Sequence, residues 1–451
     1  MDNIKMATLL TEAAELLYET VYIVKRGNLL YVGDKFIGSF DNEKEKQELI
    51  DEYENFNDSQ QQLINTLIKH NHEHYTFKIG VRELGWRVKY TLNQNELLND
   101  PADYTLIEIE QRLLEGNRFA EFAKRVCQPR IDSLLQEFSL THDTLDIEDI
   151  LKGVDIETEA KLLKVEECPL MQLYRNIDEI PEVLNKKTPL FKMFLAYWAN
   201  VHKLNLSDVI SEYTQHPKQW ENRYQNYNYS LLFKIRKGRG KGGIQKYYAG
   251  WNTYLKLSNG NIRYLLELVY SAFERHIENG NELMSSISVE DQTLAAEDVG
   301  RKNLSELEGL WKNGAKLTKL LIGIGRIMNV FAKDDSTKLA PEINQFEIKY
   351  PVSDENLEIL QAGVMNLAFY RMTGNKLSSE IDTKDYMYMI HPIYAPFFMF
   401  SYRKKRKMVF SNQEFSGLIS QQDKYMHHIL SARKISVDDA ILAPQQLQLF
   451  D

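Results

Sequence analysis

Apolar residues recur at helical spacing through most of the chain, and strand-like patterning is confined to a few short stretches. Between Ala7 and Val24, the residues Leu9, Leu10, Ala13, Leu16, Leu17 and Val21 mark a helix face, and Leu29 to Ile37 reads as a short strand pair about Gly33 and Asp34. Leu49 and Ile50 then run directly into Asp51 and Glu52. After a polar turn at Asn55, Asn57 and Asp58, Ser59 and Gln62 have the spacing of a capping box. Leu63, Ile64, Leu67 and Ile68 share one face of the helix it starts. Asn71 turns the chain, and Tyr75 to Val81 is rich in aromatic and β-branched residues, which predicts a strand. The order is strand, acidic pair, helix, strand. Glu96 to Asp103 is a polar loop, and Tyr104 to Ile109 predicts a strand that closes this α/β part.

From Glu110 to about Tyr229 the period is helical. Phe119, Phe122, Ala123 and Val126 form one face, with Pro129 at a turn or kink, and Leu190 to Leu204 aligns Phe191, Phe194, Leu195, Trp198 and Val201. Thr141 to Glu167 is acidic and reads as a solvated connector. Trp220 to Tyr229 is dense in aromatics without interleaved basic residues, which predicts core or interface rather than base stacking. Further helices are expected after Asn261, with Ile262, Leu265, Leu266 and Val269 inward, and over Leu317 to Phe331, where Gly323 and Gly325 allow close packing. Pro341 to Pro351 reads as an extended linker with a short alternation at Phe346 and Ile348, followed by an amphipathic helix over Asn356 to Met372. Tyr394 to Phe410 reads as strand, basic turn, strand. Helices followed by a basic hairpin outline a winged helix, although the period also permits other α+β modules.

Length and charge narrow the class. A chain of 451 residues has room for about three domains, and its 43% hydrophobic and 26% charged residues suit a soluble globular fold. Cys127 and Cys168 lie far apart without metal-ribbon spacing, which argues for a reducing compartment. The N-terminal MDNIKMATLL lacks the pattern of a secretory leader. The apolar window Met387 to Tyr402 carries His391, Pro392 and Pro396 and is too short to span a bilayer. A cytoplasmic protein without membrane association is expected. The net charge of −9 speaks against a general nucleic-acid coat. Two runs without acids, KIRKGRGKGGIQK (Lys234 to Lys246) and RKKRK (Arg403 to Lys407), fit focused phosphate contacts better.

The acidic pair suggests chemistry. An Asp at a strand tip can hold Mg²⁺ and a Glu beside it can polarise the water that attacks a γ-phosphate, as in the Walker B half of a P-loop nucleotide hydrolase. A solvated acidic turn is the plain alternative. The motif G-x-x-x-x-G-K-[ST] does not occur in this sequence; GDKFIGSF (Gly33 to Phe40) has glycines but no following Lys, and KGRGKGG (Lys237 to Gly243) lacks the Ser/Thr. That glycine-basic loop reads equally as a surface loop or a phosphate contact. HNHEH supplies His70, His72 and His74, but no second cluster completes a metal site.

The run LIDEYENF, the QQQLINTLIKH helix and FKIGVRELGWR resemble the Walker B to sensor 1 segment of an AAA+ ATPase family, the origin-recognition-complex-like family of bacteria and archaea. KYYAGWNTYLKLSNGNIRYLLELVYSAF (Lys246 to Phe273) resembles its sensor 2 region, with Gly260, Asn261, Ile262 and Arg263 at the helix start. DYMYMIHPIYAPFFMFSYRKKRKMVFS (Asp385 to Ser411) resembles its C-terminal module. The resemblance implies a mostly α fold with α/β, in which residues 1–110 form an incomplete P-loop α/β core lacking the Walker A part. Residues 111–285 would form a helical lid, and 286–451 a winged-helix-like module. It implies ATP and Mg²⁺ as cofactors, Asp51 as the metal ligand, Asp51 and Glu52 as catalytic residues, and Arg263 as a γ-phosphate sensor. Arg82, with Arg87, falls where this class places nucleotide-binding or trans-acting arginines; a surface ion pair with Glu83 is the alternative. Arg403, Lys404, Lys405, Arg406 and Lys407 would contact DNA. The implied function is ATP and DNA binding in an oligomer or with a partner chain, in a plasmid or phage-defence setting. The alternative is a non-hydrolysing DNA- or protein-binding adaptor from the same family.

Overall fold

The computed structural model describes residues 23–26, 29–32, 35–39, 46–70, 75–137, 146–177, 180–236, 243–283, 285–334, 342–373, 386–433 and 435. The chain forms two compact units, Met1–Glu108 and Ile109–Asp451. Among the described residues helix dominates, with three small sheets.

In the first unit, β1 (Ile23–Arg26), β2 (Leu29–Val32) and β3 (Lys35–Ser39) form an antiparallel meander. The strand pair expected over Leu29 to Ile37 is thus present, whereas Ile23 and Val24 are strand; the rest of the helix expected from Ala7 lies outside the described residues. The acidic stretch is built on β4 (Lys46–Ile50) and β5 (Tyr75–Ile79), which pair in parallel with Ile50 opposite Ile79. A parallel pair needs a crossover, and α1 (Asp58–Lys69) supplies it. The capping box belongs to Asn57 and Gln60, two residues before the expected Ser59 and Gln62. Asn57 holds the extended conformation that an N-cap requires, with its side chain accepting from Gln60 N and the Gln60 side chain accepting from Asn57 N.

The inner face of α1 carries amides as well as Leu63. Buried Gln61 donates to Gly85 O (2.9 Å) and accepts from Arg87 N (2.9 Å). Buried Asn65 donates to Val88 O (2.8 Å) and Tyr90 O (3.0 Å). These side chains satisfy the backbone of residues 85–90 where no strand does, as buried polar groups require. The strand expected over Tyr104 to Ile109 is absent; the segment is irregular until a short helix begins at Ile109.

The second unit begins with the helices α2 (Arg118–Glu137), α3 (Pro189–His202), α4 (Leu206–Gln215) and α5 (Pro217–Leu232). Pro129 lies inside α2. Thr188 caps α3 by accepting from Phe191 N, Pro189 occupies the first turn, and Lys203 ends the helix in the left-handed region at φ 54°. Phe191, Phe194, Tyr213, Trp220 and Tyr224 interlock at ring separations of 5.1 to 6.1 Å, so the aromatic stretch Trp220 to Tyr229 faces the core. Residues 141–145 of the acidic stretch before them lie outside the described residues, and from Asp146 to Glu167 it is not a solvated connector. Ile147, Leu151, Leu163 and Val165 are fully buried, Asp146 and Asp155 cap short helices, and Glu159 is buried against Lys246.

The unit continues with α6 (Ile262–Glu278), α7 (Val289–Glu306), α8 (Gly314–Lys333) and α9 (Asp354–Met365). Gly325 of α8 lets the Phe398 ring approach: a Cβ there would stand 2.7 Å from it. The supposed linker is β6 (Ile343–Ile348), an interior strand of a sheet ordered β7 (Phe369–Thr373), β8 (Tyr386–Ile390), β6, β9 (Arg406–Phe410). β6 runs antiparallel to β8 and parallel to β9. The helix expected through Met372 stops at Met365 and its last residues enter β7. The hairpin expected over Tyr394 to Phe410 does not form either. Pro392–Tyr394 and Ala395–Phe398 are short helical turns, and β9 pairs with β6 instead of an adjacent strand. The helices α10 (Asn412–Ser420) and α11 (Gln422–Ala432) complete the described chain. Among the described residues no helix is long and apolar enough to cross a membrane.

His391 sits between Tyr264 and Tyr370, fully buried, and its Nδ1 accepts from Ile393 N at 3.2 Å. Burial lowers its pKa from 6.5 to about 3. Between those values the unfolded chain holds a proton that the folded chain refuses, so stability rises with pH across that window and falls on acidification. His391→Asn, whose amide oxygen can accept the same N–H, should flatten that dependence in urea titrations at pH 4 and pH 7; an unchanged difference would exclude His391 as its source.

Candidate functional site

Asp51 stands at the C-terminal tip of β4. Asp51 is exposed and its Oδ1 accepts from Glu52 N at 2.9 Å; it lines a shallow cleft of about 340 Å³ with Leu49, Ile50, Lys78, Ile79 and Gly80, and among the described residues its Oδ2 takes no hydrogen bond. Glu52 is exposed, adopts a left-handed backbone at φ 53° and accepts from Asn55 Nδ2 at 3.1 Å. That conformation is uncommon for a residue with a Cβ and is kept only where neighbours fix it. Here Tyr53 N donates to Gly80 O (3.1 Å) and Gly80 N to Ile50 O (2.7 Å), tying the two strand tips together. Asp51 and Glu52 are therefore adjacent, exposed and held at one strand tip, as expected from their sequence position.

Gly80 is a residue the sequence reading missed. A Cβ there would lie 2.8 Å from Asp51 Oδ1. Gly80→Ala should push the Asp51 carboxylate aside; because that carboxylate ends an exposed, movable side chain, the expected cost to this unit is small, below about 1 kcal/mol. Gly309→Ala, where a Cβ meets nothing within 4 Å, serves as the control for urea unfolding. Equal midpoints for the two variants would show that the Gly80–Asp51 approach imposes no constraint.

The arginines expected to meet a nucleotide have protein partners. Arg82 binds Glu54 through Nε (3.0 Å) and its backbone N (3.2 Å), and the Glu54 side chain is almost fully buried. Arg87 donates to Glu54 O (2.8 Å) and Phe56 O and pairs with Asp58 at 3.1 Å. Both thus brace the turn that follows the acidic pair. Glu54, hidden in the acidic run, was the other omission; only the structure distinguishes it from Asp51 and Glu52. In the second unit Arg263 sits at the first turn of α6, where Asn261 accepts from Arg263 N (3.0 Å) and Tyr264 N (3.3 Å). Its guanidinium is 3.0 Å from Glu267 and 3.6 Å from Glu306 and largely exposed.

The basic run leads into the edge strand β9. Lys405 and Arg406 are exposed, and Lys404 Nζ lies 5.2 Å from the Tyr370 ring centroid. Lys407 pairs with Glu347 at 2.6 Å. Arg403 is half-buried over the Tyr229 ring. Lys404 and Lys407 are exposed as well, so four of the five residues of the run reach solvent. The segment 237–242 lies outside the described residues, as do His72 and His74, and His70 pairs with Glu96 at 3.2 Å. Among the described residues no group of three or more metal-ligating side chains converges.

Mg²⁺ does not require such a group, since it is commonly held by one or two carboxylates, water and phosphate oxygens. The exposed carboxylate of Asp51, whose Oδ2 takes no hydrogen bond among the described residues, fits that role. A model of the ORC-CDC6-like family matches residues 42–410, most of the chain. No curated protein matches the chain, and no solved structure does.

Proposed function

Because the chain belongs to the ORC-CDC6-like family, we propose that it is an AAA+ ATPase-like protein that binds Mg²⁺–ATP at the β4 tip and DNA along the lead-in to β9. The observation that carries the reading is the parallel β4–α1–β5 unit with Asp51 and Glu52 exposed at its tip. Asp51 would take Mg²⁺ through Oδ2, and Glu52 would orient water. In this reading residues 111–285 form the lid and 286–451 the DNA-binding part, and the protein acts as an oligomer or with a partner chain. The nucleotide's phosphates would need a cradle of backbone N–H groups in addition to these residues.

A second reading, a DNA- or protein-binding adaptor without hydrolysis, is favoured by two observations. The sequence carries no G-x-x-x-x-G-K-[ST], and Arg82 and Arg263 are both engaged by carboxylates. Glu52→Gln separates the two: turnover lost with ATP binding retained supports the first, and no turnover in either protein supports the second. The DNA contact is tested by Lys404→Glu, Lys405→Glu and Arg406→Glu together. Duplex affinity should fall by at least tenfold at moderate salt, and the slope of log K against log salt should drop by about 2–3. Unchanged affinity and slope would remove DNA from the account.

A further inference from the structure

The two basic runs, about 160 residues apart in sequence, meet at one aromatic ring. Arg403 Cζ lies 3.7 Å and Lys246 Nζ 4.8 Å from the Tyr229 ring centroid, with the Tyr402 ring 5.9 Å from it. The two cations differ in how they are compensated. Lys246 is buried, 2.8 Å from Glu159, and donates to Tyr247 O at 2.7 Å. Among the described residues Arg403 has no ion pair, and its guanidinium no hydrogen bond; Glu342, on whose carboxyl Arg403 and Lys405 both act, is buried, and burial raises its pKa.

An arginine stacked on a ring spends its π face and keeps its in-plane N–H donors. Those donors match two oxygens of one phosphate, and fixing their plane beforehand removes an ordering cost from binding. The backbone beneath is fixed as well. Fully buried Asn344 donates to Ser401 O (2.8 Å) and Arg403 O and accepts from Lys405 N (3.3 Å), while Ser401 Oγ accepts from Arg403 N (3.2 Å). Exposed Lys405 and Arg406 continue the same stretch. We propose that Tyr229 is a positioning residue for nucleic-acid binding: its ring holds Arg403 as a pre-aligned fork for a backbone phosphodiester. Among the described residues the buried hydroxyl of Tyr229 has no hydrogen-bond partner, so the ring is the part that acts. This inference rests on the DNA reading above.

The test is fluorescence anisotropy of a labelled duplex on the full 451-residue chain, with a melting curve for each variant. Tyr229→Phe keeps the ring and should bind like the parent. Tyr229→Leu should weaken binding about tenfold and lower the salt slope by about 1. Arg403→Gln should do the same, and Arg403→Lys should not rescue, because a lysine cannot present the fork. Tyr229→Leu added to Arg403→Gln should cost nothing more. Full additivity, or parental affinity for Arg403→Gln, overturns the proposal. That second criterion holds even if Tyr229→Leu does not fold. Failure of the DNA reading is distinct: it shows as parental affinity when Lys405 and Arg406 are reversed to Glu.

Discussion

Glu159→Ala is expected to destabilise the second unit by about 3–5 kcal/mol. Glu159 and Lys246 lie 2.8 Å apart with side chains 7% and 2% exposed, and Glu159 also accepts from Tyr247 N at 2.9 Å. The ammonium is surrounded by the rings of Tyr229, Phe233 and Tyr248 at 4.8 to 5.5 Å. Those rings attract a cation but cannot replace a carboxylate at contact distance. Removing Glu159 therefore leaves a charge without its partner in a dry site. The double variant Glu159→Leu with Lys246→Met should recover most of the loss, because neither charge then has to be desolvated. Urea unfolding of the two singles and the double measures this; a single variant within about 0.5 kcal/mol of the parent would mean that the pair is screened by water.

Phe346→Ala should cost a similar amount, about 3–5 kcal/mol. The fully buried Phe346 ring is the centre of the four-stranded sheet's core, 5.2 Å from Phe369, 5.7 Å from Tyr388, 5.8 Å from Phe410 and 6.3 Å from Phe415. The cavity cannot close easily, since Gly363 already brings α9 against Phe369: a Cβ there would meet that ring at 2.4 Å. Phe346→Leu, which keeps most of the volume, should cost less than about half as much. β6 pairs with β9 along this core, so the alanine variant should also weaken the proposed DNA contact. Equal stability of the two variants would show that the ring cluster is loosely packed.

Some of this was legible in the sequence. Leu49 and Ile50 running into Asp51 and Glu52, then a capped amphipathic stretch and a β-rich stretch, gave the strand–helix–strand order because each signal is local. The helices over Leu190 to Leu204 and Leu317 to Phe331 were readable from apolar spacing for the same reason. Errors arose where a distant partner decides the outcome. Phe346 and Ile348 are flanked by Pro341 and Pro351, which suggests a linker, yet β8 and β9 on either side make the segment an interior strand of the sheet. Tyr394 to Phe398 has strand-like composition, but Pro392 and Pro396 suit helical first turns, and the segment became two of them. In Thr141 to Glu167 the density of acids hid Ile147, Leu151, Leu163 and Val165, which are core, and Glu159, whose counter-ion lies 87 residues away. Arg82 and Arg263 stand out by position; the partner of Arg82, Glu54, lies 28 residues away and follows from packing, whereas Glu267 follows Arg263 by one helical turn, an i,i+4 pair that the period of α6 encodes.

The most direct measurement is isothermal titration of the full chain with Mg²⁺–ATP, for the parent and for Asp51→Asn. The account predicts saturable binding to the parent that requires Mg²⁺ and is lost in Asp51→Asn. No saturable heat with the parent, or the same heat with both proteins, would contradict the assignment of the β4 tip as a nucleotide–metal site.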